Sequence, residues 1–244
     1  MAIAPFACDP DLARAESAAP PAEPCRPLDH GEASYVVCTI DLARYELRMF
    51  LRGIDGQPYG SFARLIQSPE GRKLAFAMNG GMYDENRLPV GLYVENGRLM
   101  KRANTTNGTG NFHLKPNGVF YASGETAGVL ETGRYLATRP RAEFATQSGP
   151  MLVHEGEITT SAVMSPNSTW RKIRNGVCAP APDAVVFVIS ETPVTFFEFA
   201  AYFREQLHCH EALYLDGSIS RLYARRLGRE DHGSDMGPII GVTK

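Results

Sequence analysis

Residues 184–217 read A-V-V-F-V-I-S-E-T-P-V-T-F-F-E-F-A-A-Y-F-R-E-Q-L-H-C-H-E-A-L-Y-L-D-G, and the order of patterns within them decides the fold. Residues 184–189 form an unbroken apolar, β-branched run of the kind found in strands buried on both faces. After Pro193, Thr195 and Glu198 stand at capping-box spacing, while Phe196, Phe199, Ala200, Phe203 and Leu207 share one helical face. Residues 212–215 are apolar again and stop at Asp216-Gly217. Strand, amphipathic helix, strand predicts a βαβ unit with parallel strands and a right-handed crossover. Ligands of such units lie beyond the carboxyl ends of the strands, where Asp216 stands.

Upstream the pattern shortens into strands and tight turns. Residues 35–41 and 46–51 alternate apolar and polar and are expected to pair with each other. Residues 91–94 and 98–101 flank Glu95-Asn96-Gly97, 112–115 and 119–122 flank Pro116-Asn117-Gly118, and 150–154 and 157–159 flank Glu155-Gly156. Each of the three reads as a hairpin. A further apolar run, 74–78, ends at Asn79-Gly80-Gly81, where paired glycines permit positive φ and close approach by a ligand or another segment. Asn79 is thus expected at an open sheet rim, although Asn-Gly is also the commonest tight-turn dipeptide. The fold class expected is α+β, a mixed twisted β-sheet with antiparallel hairpins and one C-terminal βαβ unit.

A chain of 244 residues suffices for one large domain with a full core. Its formal charge of -2 comes without a basic stripe, which argues against a nucleic-acid partner. No apolar stretch approaches the roughly 20 residues of a membrane span. Residues 1–30 carry six prolines among alanines and acidic residues and read as a disordered leader or linker ahead of a domain at 31–244. They lack the basic and apolar regions of a signal peptide. Of five cysteines, Cys25 with Cys38 and Cys178 with Cys209 are candidate bridges, leaving Cys8; the alternative is five buried thiols. Bridges point to export, and a periplasmic or secreted location with the signal already removed is expected.

Among residues able to carry chemistry, Asp216 leaves a buried strand where a carboxylate is partly desolvated yet reaches a cleft; its alternative role is a turn former capping Gly217-Ser218. Arg171, Lys172 and Arg174 precede Asn175-Gly176, and guanidinium groups suit bidentate phosphate binding. A solvated basic loop is the competing interpretation, and Lys115 before Pro116 has the same two. Gln147-Ser148-Gly149-Pro150 has the small residues of a close-approach site but is not a G-x-S-x-G elbow. His208, Cys209 and His210 have no second ligand cluster at metal spacing, so no metal is expected. With no P-loop and no G-x-G-x-x-G, no cofactor is expected either.

Taken together, N-G-G-M-Y at 79–83, P-V-G-L-Y-V-E-N-G at 89–97, G-N-F-H-L-K-P-N-G-V-F at 110–120, Q-S-G-P-M-L-V at 147–153, R-N-G-V at 174–177 and L-D-G-S at 215–218 resemble the phosphodiester glycosidase family. The resemblance spans about residues 35 to 225. It implies hydrolysis of the bond between a sugar's anomeric carbon and a phosphodiester oxygen, on a glycosyl-phosphate small molecule or an envelope glycan. Asp216, Asn79 and Arg174 are the implied catalytic set, with Asp216 as nucleophile or base for water. Gly80, Gly81, Asn111, Lys115, Asn117, Gln147, Ser148, Asn175, Gly217 and Ser218 are the implied substrate contacts. Ser218 and Cys178 stand where many relatives carry glycine. The rival from another class is a carbohydrate-binding or structural envelope module in which the same residues hold a glycan without cutting it.

Overall fold

The computed structural model describes residues 24–216 and 219–244. Its strands in chain order are β1 Cys25–His30, β2 Ala33–Asp41, β3 Glu46–Phe50, β4 Leu74–Asn79, β5 Tyr93–Glu95, β6 Arg98–Lys101, β7 Gly118–Ser123, β8 Thr126–Glu131, β9 Phe144–Ser148, β10 Met151–His154, β11 Glu157–Ile158, β12 Asn175–Ala181, β13 Ala184–Ser190, β14 Ala212–Asp216, β15 Leu222–Ala224, β16 Arg229–Glu230 and β17 Ile239–Thr243. Three short helices accompany them: α1 Phe62–Gln67, α2 Thr132–Thr138 and α3 Phe196–Ala201. The last runs into a π-helical turn, Tyr202–Gln206.

The strands form three sheets, in the orders β1-β2-β13-β12-β14-β10-β11, β16-β15-β4-β17-β3 and β6-β5-β9-β7-β8. All three turn one face toward a single central core. Val36, Cys38 and Ile40 come from the first sheet, Phe76, Met78, Ile240 and Val242 from the second, and Phe120, Ala122 and Val129 from the third. Each outer face is covered by its own helix. Phe196, Phe199 and Ala200 of α3 cover Val186, Val188 and Tyr214; Phe62 and Leu65 of α1 pack with Ala77 and Ile239; Tyr135 of α2 packs with Val119 and Ala145. The apolar run of β13 follows directly. Val185, Phe187 and Ile189 point to the common core, and Val186 and Val188 point under α3. A side chain such as Phe187, fully buried, contributes about 2 to 3 kcal/mol by leaving water.

The α+β class stands, and the strand–helix–strand unit is present with its capping box: Thr195 accepts from the Glu198 amide and Glu198 from the Thr195 amide. Its strands are not adjacent, however. β12 lies between β13 and β14 and is antiparallel to both, so the crossover spans an intervening strand and all strand pairings among the described residues are antiparallel. Three antiparallel sheets therefore replace the single mixed sheet expected. The hairpins β5–β6 and β10–β11 form, with Asn96-Gly97 and Glu155-Gly156 at positive φ in their turns.

Two expected pairings are corrected. β2 forms a hairpin with β1 and pairs on its other side with β13, and β3 pairs with β17; β13 and β17 lie more than a hundred residues away and complete sheets that a β2–β3 hairpin would not. Residues 111–113 form a 3₁₀ turn rather than a strand, and β7 pairs with β8 and β9. The stretch assigned to the leader also contributes: Cys25–His30 is β1, an edge strand whose Cys25 lies opposite Cys38 and is bonded to it. The second disulfide joins Cys178 of β12 to Cys209 in the crossover. Cys8 lies outside the described residues. No helix is long and apolar enough to cross a membrane among the described residues.

Candidate functional site

The three sheets bring strand ends together at one place. β4 ends at Asn79, β9 at Ser148 and β14 at Asp216, while β12 begins at Asn175. Asn175 is the direct register partner of Asp216. A junction of sheets leaves polar groups that no ladder satisfies, and here buried side chains satisfy them. Asn175 Nδ2 donates to Asn79 Oδ1 at 2.9 Å, linking the first sheet to the second, and the Arg221 amide donates to the same oxygen at 2.9 Å. Ser220 Oγ donates to Asn175 Oδ1 at 3.2 Å. Ser148 Oγ donates to the Leu215 carbonyl at 2.5 Å, linking the third sheet to the first. Asn79 is fully buried, so the open rim expected there is closed by its partners.

The glycines beside Asn79 serve packing. Neither adopts positive φ. A Cβ on Gly81 would lie 2.5 Å from the Gln147 carbonyl oxygen and from Thr146 Oγ1, and one on Gly80 3.2 Å from Pro238, so another segment of this chain is what approaches closely. Gln147 is equally committed. Its side-chain oxygen accepts from the Leu92 and Asn104 amides, and its Nε2 donates to the Asn104 carbonyl and to Thr132 Oγ1. Every hydrogen-bonding position of the amide is used. Asn117 is also buried, donating to the Phe112 carbonyl and accepting from Thr132 Oγ1 at 2.7 Å.

Arg174 is fully buried. Its guanidinium donates to the carbonyls of Val194 and Trp170 and to the Tyr214 hydroxyl, and its Cζ lies 3.7 Å from the ring centre of Phe196. Burial lowers its pKa, with Tyr214 acting in the opposite direction. Lys115 is exposed.

Beside these buried links opens a cleft of about 890 Å³, lined by Met82, Tyr83, Asp84, Glu85, Arg87, Gly110, Asn111, Trp170, Lys172, Ile173, Asp216, Ile219 and Ser220. Of the residues singled out from the sequence for catalysis or binding, Asp216, Asn111 and Lys172 line it; Asn79, Arg171, Arg174, Asn175, Gln147, Ser148, Asn117, Lys115, Gly80 and Gly81 do not. Gly217 and Ser218 lie outside the described residues. Asp216 is only 6% exposed, although it lines the cleft, and its Oδ1 accepts from the Ile219 amide at 3.4 Å. Its negative charge reaches Tyr83, whose hydroxyl is pushed up to about 12, first by burial and next by Asp216. Tyr214 is raised to about 12 by burial, with Arg174 lowering and Asp216 raising it.

Lys172 and Arg87 supply positive charge to the cleft, and Asp84 and Glu85 add carboxylates. Asp84 Oδ1 is occupied by the amides of Asn86 and Leu88. Arg87, Tyr83 and Trp170 were not singled out from the sequence. Arg87 sits at φ 64°, with its guanidinium 5.7 Å from the Tyr83 ring centre. The signal available was the M-Y-D-E-N-R run itself, whose tight turn brings Arg87 back over Tyr83. Among the described residues no group of three or more His, Cys, Asp or Glu is arranged to hold a metal.

Three antiparallel sheets around one core, with a cleft that sets a nearly buried carboxylate among cations and aromatic walls, define an α+β domain suited to a polar, charged ligand. The chain belongs to the phosphodiester glycosidase family, whose model matches residues 72–237, a span that contains the whole lining of the cleft. An uncharacterized protein of Escherichia coli K12, YigE, is 36% identical over 188 residues, covering 77% of this chain and 73% of its own. Among solved structures, the catalytic domain of zebrafish N-acetylglucosamine-1-phosphodiester alpha-N-acetylglucosaminidase, auto-inhibited by pro-peptide, superposes with a TM-score of 0.60 at 13% identity, over 90% of this chain and 81% of that one. A hypothetical protein from Synechocystis gives 0.54 at 14% identity, over 90% and 61%, and a putative exported protein from Burkholderia pseudomallei 0.52 at 12%, over 87% and 74%. At these identities the structural likeness shows the fold.

Proposed function

We propose that the protein hydrolyses a glycosyl phosphodiester at the sugar C1–O bond, releasing free sugar and a phosphomonoester. Membership of the phosphodiester glycosidase family supports the reaction class. The observation that carries the assignment to this cleft is Asp216, held at 6% exposure at the end of β14 yet lining a cavity that Lys172 and Arg87 also line. The C1–O bond breaks with its electron pair leaving on the phosphate oxygen, and the hydroxyl of water ends on C1. A phosphate leaving group is already acidic, so positive charge assists it more than a strong general acid would. Lys172 and Arg87 supply that charge, in place of the buried Arg174 and exposed Lys115.

Asp216 acts on the sugar side, as nucleophile or as base toward water. Asn111, at the start of its 3₁₀ turn, contacts the substrate. Asn79, Asn175, Gln147 and Ser148 act as positioning residues that fix the strand ends. A glycosyl-phosphate small molecule or an envelope glycan is the proposed substrate, and the two disulfides support a periplasmic or secreted location.

The test is incubation with UDP-N-acetylglucosamine, with and without chelator, followed by product identification. UDP plus free N-acetylglucosamine, formed in chelator and absent with Asp216→Asn, is the expected result. UMP plus sugar 1-phosphate would place the cut on the phosphorus side and overturn the proposal.

A further inference from the structure

The chain contains one tryptophan, Trp170, and it stands 47% exposed in the wall of the cleft that holds Asp216. Single exposed apolar residues are ordinary on a protein surface. Three features set this one apart. Its backbone is fixed from both sides, the amide donating to Ser168 Oγ and the carbonyl accepting from Arg174 Nη2 at 3.2 Å. Its ring is backed by charge and by a second aromatic: the Arg174 guanidinium carbon lies 5.3 Å from its ring centre, and Phe196 packs against it at 6.1 Å. Arg174 itself is locked between Phe196, Tyr214 and the Val194 carbonyl, so the support behind the ring is rigid.

A large ring held this firmly, about half exposed in a cleft that Asp84, Arg87, Lys172 and Asp216 also line, presents an apolar face beside polar and charged groups. A pyranose is the matching shape: one face shows a patch of C–H groups, and its edge carries hydroxyls. A phosphate group has no such face. We infer that the exposed face of Trp170 is the stacking platform for the sugar ring of the substrate, and that Arg174 is a positioning residue that holds the platform from behind. The inference rests on the hydrolase reading for its substrate class, and it assigns the sugar side of the cleft to Trp170 and the phosphate side to Lys172 and Arg87.

Because Trp170 is the only tryptophan, emission excited at wavelengths that tyrosine does not absorb reports this ring alone. The experiment titrates the protein with the 1-phosphates of N-acetylglucosamine, glucose, galactose and mannose and with inorganic phosphate, while the same preparation is assayed for cleavage of UDP-N-acetylglucosamine and other glycosyl phosphodiesters. A saturable change with at least one sugar phosphate and none with phosphate is expected. Trp170→Ala is expected to raise KM about tenfold with kcat within about twofold, and Trp170→Phe to stay within about threefold of the native KM.

An emission change equal with phosphate alone, or Trp170→Ala with unchanged KM, would overturn the platform. Diester cleavage without any emission change would overturn it while leaving the hydrolase standing. An emission change without cleavage of any diester would do the reverse, and the absence of both would remove both.

Discussion

The buried junction of the sheets and the open wall of the cleft lie side by side and are built on opposite terms. At the junction, Asn79, Asn175, Gln147, Asn117 and Ser148 are all at most 1% exposed, and their polar atoms are spent on one another and on the backbone. In the wall, Lys172 and Arg87 make no ion pair among the described residues and Trp170 leaves half its surface open, while the charge of Asp216 is drawn inward. The difference teaches that the invariably polar look of a motif does not tell which of its residues meet a ligand. Most of the residues in the quoted motifs hold the sheets in register so that a few others can face the cleft.

The largest expected effect breaks the wall without touching the junction. Asp216→Asn should lower kcat on a cleaved glycosyl phosphodiester by about a thousandfold or more, with thermal midpoint within about 2 °C of native, read by product assay and calorimetry. Next comes the converse. Gln147→Ala strands the Leu92 and Asn104 amides and the Asn104 carbonyl, and should cost about 2 to 4 kcal/mol in urea unfolding. Equal loss of stability in both variants would erase the distinction between the two regions.

How far this division was legible in the sequence depended on the range of the interactions. The capping box and the β5–β6 and β10–β11 turns are local, and residues four or fewer apart declare them; the strand–helix–strand order is a succession of such local patterns. Both disulfides were among the candidate bridges, with free thiols as the open alternative, and the fold decides between them. The β2–β13 and β3–β17 pairings, and the insertion of β12 between β13 and β14, depend on segments far apart in the chain, and no local pattern encodes them. Asn117 illustrates the loss. Beside Gly118 it looked like the tip of a hairpin, but its side chain is buried between Phe112 and Thr132, which only the folded chain brings together. Arg174 stood out as a cation, yet its burial among aromatic rings depends on Phe196 and Tyr214 from another element.

Smaller effects sharpen the comparison. Lys172→Ala should raise KM about tenfold with stability unchanged, since its side chain is exposed and makes no ion pair among the described residues; steady-state kinetics beside urea unfolding would show the split. The mildest test is alkaline pH. Tyr35, Tyr83 and Tyr214 are each raised to about 12, so the folded state holds protons that the unfolded state releases near 10. Stability should therefore be level up to about pH 10 and decline as pH rises from 10 toward 12. Absorbance at 295 nm and unfolding midpoints across that range check the sign. Improved stability above pH 10 would contradict it.

The second sheet has one more consequence, which concerns the order of synthesis. β17, residues 239–243, is not an edge strand but lies between β3 and β4, whose residues leave the ribosome roughly two hundred positions earlier. Until it arrives, β3 and β4 each display an unsatisfied edge and the face that will bury Ile240 and Val242. The nascent chain must wait with that seam open, a state in which pairing with foreign strands competes with completion. A stop codon placed just before Ile239 would leave the seam permanently unfilled.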